Sequence, residues 1–150
     1  MGIDLLASYS AKGVKHILSK KVKLYTLEEY EHCFIRIYKE EVTIQQANEF
    51  AESIMQSIDF MVHPHPDHKR TILTGVLIAE KGCSAAVNDF VAAYHNQRIF
   101  WFFMHGWCEA RLVLADLRQG AVVHSKRRTS RHLGKMYNIP VTAEAKELQE

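Results

Sequence analysis

Six consecutive residues, His63-Pro64-His65-Pro66-Asp67-His68, carry the densest set of metal-ligating side chains in the chain. Neutral imidazole and carboxylate both donate lone pairs to a borderline cation, so this composition suits a divalent metal of the zinc type. A turn at HxHxDH spacing brings His63 and His65 to one ion and Asp67 and His68 to a second. A water bridging two such ions is acidified into a nucleophile. Two prolines stiffen the segment. The competing reading is a polar connector between two elements, with no cofactor at all.

The string resembles the metal motif of the metallo-β-lactamase superfamily, and it follows an apolar stretch from Ile58 to Val62. The resemblance implies a metal-dependent hydrolase built on a two-sheet sandwich. Further ligands would lie downstream, where Asp116 and His124 stand at loosely matching distances. It is confined to about ten residues. That family places strands and a glycine-containing turn before the motif, whereas the residues here carry helical patterns.

Other catalytic signals are weak. Arg98 with His105 and Arg118 with His124 have the Arg-to-His spacing of helical HEPN ribonucleases, but eight arginines and nine histidines produce such pairs by chance. Cys33, Cys83 and Cys108 lack CxxC spacing, which excludes a zinc ribbon and a disulfide framework. No glycine-rich phosphate loop or nucleophile elbow occurs. The balance favours a non-enzymatic binding or regulatory module, with the metal-dependent hydrolase as the alternative.

Two segments suit binding. Ile99 to Met104 is the longest purely apolar run, and Phe100, Trp101 and Phe103, with Trp107 beyond, offer an aromatic surface for a protein partner or for self-association. The net charge of +2 is too small to steer a polyanion, but the charge is unevenly spread. Residues 1–25 carry five lysines and one acid, 26–61 eight acids and two bases, and 121–139 five bases and no acid. Lys126, Arg127, Arg128, Arg131 and Lys135 could each neutralise a phosphate of a nucleic acid without reading sequence. Alternatively, these bases serve as counter-charge to the acidic block. Leu133 to Thr142 has the spacing of the first half of a helix-turn-helix, yet Glu144, Glu147 and Glu150 in the second half would repel phosphates.

The elements that would position these residues read as helical. Thr26 with Glu29 and Thr43 with Gln46 are capping-box pairs. Leu27, Tyr30, Phe34, Ile37 and Tyr38 then share one helical face, and Ile44, Ala47, Phe50, Ala51, Ile54 and Ile58 share another. Further helices are expected over 4–19, over 69–81 with Gly82 in the left-handed conformation, and from Ser84 towards Gly120 with breaks at 95–97 and 105–106. Residues 21–25 and 121–124 are the two possible strands, and a short helix follows Pro140. The expected architecture is mainly α: one domain over 1–150, a bundle of about five to seven helices with at most one short two-stranded pairing. Residues 121–150 would be a peripheral basic segment ending in a short helix.

At 150 residues, with 47% apolar and 24% charged, the chain excludes intrinsic disorder and collagen-like sequence. No apolar run approaches the ~20 residues of a membrane span, and none has the character of a signal peptide. The expectation is a cytoplasmic protein with no membrane partner.

Overall fold

The computed structural model describes residues 2–16 and 23–126 of the chain. It corrects the helical bundle. Strands β1 (Leu5–His16), β2 (Lys23–Tyr38), β3 (His68–Ala79), β4 (Asn96–Ile99), β5 (Trp107–Asp116) and β6 (Ala121–His124) form one mixed sheet, with two α-helices among the described residues, α1 (Ile44–Met61) and α2 (Ala85–Ala93). The sheet order is β1-β2-β3-β5-β4, and β6 pairs with β5 beyond the short β4. The three central strands β2, β3 and β5 run parallel, and β1, β4 and β6 are antiparallel to their neighbours.

The physical reason for the correction lies in the residues themselves. Ile72 to Ala79 is an eight-residue, mostly aliphatic run, and Leu112 to Ala115 continues the same character, as expected of parallel strands covered on both faces. In β2, Tyr30, Phe34 and Tyr38 are four apart, which satisfies helical spacing and strand alternation equally. Cys33, Ile35 and Ile37 fill the alternate positions, facing the other side. Thr26 is buried and paired opposite Val14 in the β1–β2 ladder instead of capping a helix. The two segments expected as strands both lie within strands as far as they are described, but they do not pair with each other.

Helix α1 is where the sequence-based expectation holds. The Thr43 hydroxyl accepts from the Gln46 amide at 3.3 Å, and the Gln46 side chain accepts from the Thr43 amide at 3.0 Å. Of the expected apolar face, Ala47, Phe50, Ala51, Ile54 and Ile58 are buried, while Ile44 is exposed. Helix α2 adds Val87 and Val91, and both helices cover the sheet face formed by Phe34, Leu73, Leu77, Leu112 and Leu114. Gly75 lies beneath α1 at the centre of this layer. On the opposite face, Val76 and Val113 pack with Cys33, Ile35, Ile78 and Val122. There Arg111 is buried and its Nε donates to Thr74 Oγ1 at 2.9 Å.

The single sheet also departs from the sandwich that the metallo-β-lactamase resemblance implies. Arg127, Arg128, Arg131, Lys135 and the helix expected after Pro140 lie outside the described residues. Among the described residues, no helix is long and apolar enough to cross a membrane.

Candidate functional site

The polar and aromatic residues singled out by sequence gather at the end of the sheet where β3 and β5 begin. His68 opens β3 and is buried. Its Nδ1 lies 2.7 Å from the His105 carbonyl and its Nε2 2.8 Å from Thr71 Oγ1. A carbonyl only accepts, so Nδ1 carries the proton and Nε2 accepts from the Thr71 hydroxyl, which fixes one neutral tautomer. Burial pushes the His68 pKa below its ordinary value, an effect only partly offset by the bond to the His105 carbonyl. Tyr30, His65 and Phe100 surround the ring at centroid distances of 6.0 to 6.1 Å.

Beside this cluster, Glu28 of β2 accepts from Lys12 Nζ and from Tyr30 OH, both at 2.7 Å, and His65 Nε2 lies 3.3 Å away. The hydrogen bonds from Lys12 and Tyr30 lower its pKa to about 2. A depressed carboxylate contributes stability that is present above its unfolded value of 4.5 and is lost as pH falls towards 2. Glu28→Gln should therefore flatten the acid side of the stability profile in this window and leave the protein less stable at neutral pH. Urea titrations from pH 7 to pH 2.5 check this, and an unchanged acid slope would refute it.

The third part is the turn between β4 and β5. Phe100 N donates to the Gly106 carbonyl at 3.0 Å, and Met104 N to the Trp101 carbonyl at 2.8 Å. Trp101 and Phe102 both adopt left-handed backbone, φ +47° and +48°, a conformation that costs a side-chain-bearing residue roughly 1–2 kcal/mol. Their side chains project into solvent, with Trp101 72%, Phe102 95% and Met104 72% exposed. Trp101 stacks on His105 at 5.4 Å. Behind them, Gly106 (φ +75°) lies directly against the carbonyls of His68 and Lys69, so the turn is locked to the start of β3.

Of the metal candidates, His68 has both ring nitrogens engaged, His65 faces Glu28, and His63 is exposed. Among the described residues, no group of three or more His, Cys, Asp or Glu side chains is placed to hold a metal ion. Asp116 ends β5, roughly 30 Å along the sheet from this cluster at ~3.3 Å per residue. The interface candidates lie in and beside the β4–β5 turn, which holds one short 3-10 turn and no α-helix, and they do not share one face. Phe100 packs inward, Trp101 points out, Phe103 lies in the turn and Trp107 begins β5 half-buried. Lys126, the one described member of the basic set, is exposed and its amide donates to the Ala92 carbonyl at 3.0 Å.

The acidic block divides between β2, the loop after it and α1, and its described counter-charges come from neighbouring strands and loops. Lys12 serves Glu28, Lys69 and Arg70 serve Glu29, and Lys81 serves Glu40. Lys12, Glu28, Tyr30 and Thr71 carry no signal in the sequence as site residues because their proximity depends on strand register, as in Lys12 opposite Glu28 and Glu28 opposite His68. Cys108 is buried, and burial pushes its thiol up to about 12, which leaves no thiolate to react at neutral pH.

No curated protein and no solved structure matches the chain. The family described as a domain of unknown function (DUF8052) matches residues 1–139, and the chain belongs to that family.

Proposed function

We propose that the protein is a binding module whose partner-facing element is the β4–β5 turn. The observation that carries this reading is the exposure of Trp101, Phe102 and Met104 on a turn that holds two consecutive aromatic residues in left-handed backbone. Adjacent apolar side chains left in water favour docking into an apolar surface, and aromatic anchors on rigid supports lose little conformational entropy on binding. The turn is held at two places: Gly106 abuts the start of β3, and Arg98 of β4 pairs with Asp59 near the end of α1 at 2.5 Å. The occupant that fits is a protein presenting an apolar pocket large enough for one or two aromatic rings.

A photo-reactive phenylalanine analogue at position 102, introduced in the native cell, tests this. The expected result is one discrete adduct that disappears when Trp101→Ala is added, while the same analogue at exposed Gln45 gives none. No adduct at 102, or equal labelling at both positions, would defeat the reading. Because Trp101 and Phe102 are largely exposed, Trp101→Ala with Phe102→Ala should leave the thermal midpoint nearly unchanged.

A further inference from the structure

We propose that β1 joins two copies of this chain, pairing antiparallel with itself about a twofold axis at Ser8 so that the two sheets become one. Strand β1 is one edge of the sheet, and its only ladder among the described residues is with β2. An open edge presents unpaired N–H and C=O groups and usually carries charge, proline or a bulge to block addition of another strand. Leu5 to Ala11 has no charged residue and no proline, and Leu5, Leu6 and Tyr9 are 56%, 47% and 65% exposed. The opposite edge is guarded differently: β4 has four residues and carries Arg98, and β6 also has four.

The sequence of β1 is self-complementary in one register. With Ser8 on the axis, Leu5 faces Ala11 of the second copy, Leu6 faces Ser10 and Ala7 faces Tyr9. Asp4 then faces Lys12, an opposite-charge pair formed twice. Leu5, Ala7, Tyr9 and Ala11 share one sheet face, so the two copies together make a continuous apolar strip. A slip of two positions either way destroys the charge match, placing Asp4 opposite Ser10 or Lys12 opposite Leu6. Both charges retain bonding capacity. Asp4 uses Oδ2 to accept from the Ile37 amide at 2.7 Å, leaving Oδ1, and Lys12 gives Glu28 one of its three ammonium protons. This register argument favours a second copy over an unrelated peptide, which would have no reason to place an acid opposite Lys12 and a base opposite Asp4.

The test is sedimentation of the full chain, with Ser8→Lys and Ser8→Asp measured alone and mixed. The wild type should be a dimer. Either variant alone sets like charges face to face and should weaken association about tenfold or more, while the mixture of the two should restore it. Rescue on mixing distinguishes loss of the contact from misfolding. Ser8→Cys should form an intersubunit disulfide absent from the wild type, since directly opposed residues lie ~4.5–5.5 Å apart at Cα. The Trp101→Ala, Phe102→Ala protein should remain dimeric, which separates this contact from the aromatic turn. A monomeric wild type, a dimer indifferent to both charges, failed rescue by the mixture, or no Ser8→Cys disulfide would each overturn the proposal.

Discussion

Replacing Gly106 with alanine is expected to destabilise the fold by about 3 kcal/mol and to release the aromatic turn. Two separate costs combine. A side chain at φ +75° adds left-handed strain of roughly 1–2 kcal/mol. The new Cβ would also stand 2.5 Å from the carbonyl oxygens of both His68 and Lys69, and 2.8 Å from His68 Nδ1. Backbone oxygens have no rotamer to escape into, so the turn must move away. Movement breaks the bond from His68 to the His105 carbonyl and leaves a buried imidazole N–H unsatisfied, at a further ~1–3 kcal/mol. Urea unfolding measures the loss. Gly13→Ala, where the nearest atom is 3.9 Å away, serves as the neutral control, and a Gly106→Ala protein as stable as that control would contradict the argument.

The second large effect is expected at Gly75. A Cβ there would overlap Ile54 Cδ1 and approach Leu112 Cδ2 at 2.8 Å and Phe50 Cε1 at 3.0 Å. Glycine is required here for the close approach of α1 to β3 and β5. Gly75→Ala should cost about 1–3 kcal/mol through overpacking, and Gly75→Val should leave little folded protein at 37 °C. The cause is specific enough to be reversed. Ile54→Val removes the methyl that collides, so the Gly75→Ala, Ile54→Val double variant should recover about 1 kcal/mol relative to the sum of the single changes. Strict additivity would place the strain elsewhere.

What the sequence disclosed depended on whether a local pattern had one structural meaning. The Thr43–Gln46 box before a 3.6-residue periodicity has one, and α1 follows from it. The pattern of Tyr30, Phe34 and Tyr38 has two, and the apolar Cys33, Ile35 and Ile37 between them are what favour the strand. Likewise, the run from Ile72 to Ala79 is rich in β-branched and aliphatic residues and about the length of a buried strand. Gly82 does adopt the expected positive φ, but after a strand and not a helix, and Gly106, at an expected helix break, also has positive φ and precedes a strand. Within the aromatic run Trp101 and Phe102 are exposed while Phe100 packs inward, a division that composition alone does not show. The neutral His68 was not legible either, because its partners Thr71 and the His105 carbonyl are brought together by the β4–β5 turn folding back on β3.

The parallel arrangement of β2, β3 and β5 bears on how the chain reaches this state. Each of those pairings requires a crossover of some thirty residues to close before the strands can meet, whereas β1 with β2, β4 with β5 and β5 with β6 can form from short-range encounters. Sheets dominated by such distant pairings fold in milliseconds to seconds, not microseconds. During that interval the uncharged edge from Leu5 to Ala11 and the nascent β3 are available to other chains at once. The hazard on the way to the native state is therefore intermolecular. Yield on refolding should depend steeply on protein concentration, even though the finished sheet buries most of β3 between its neighbours.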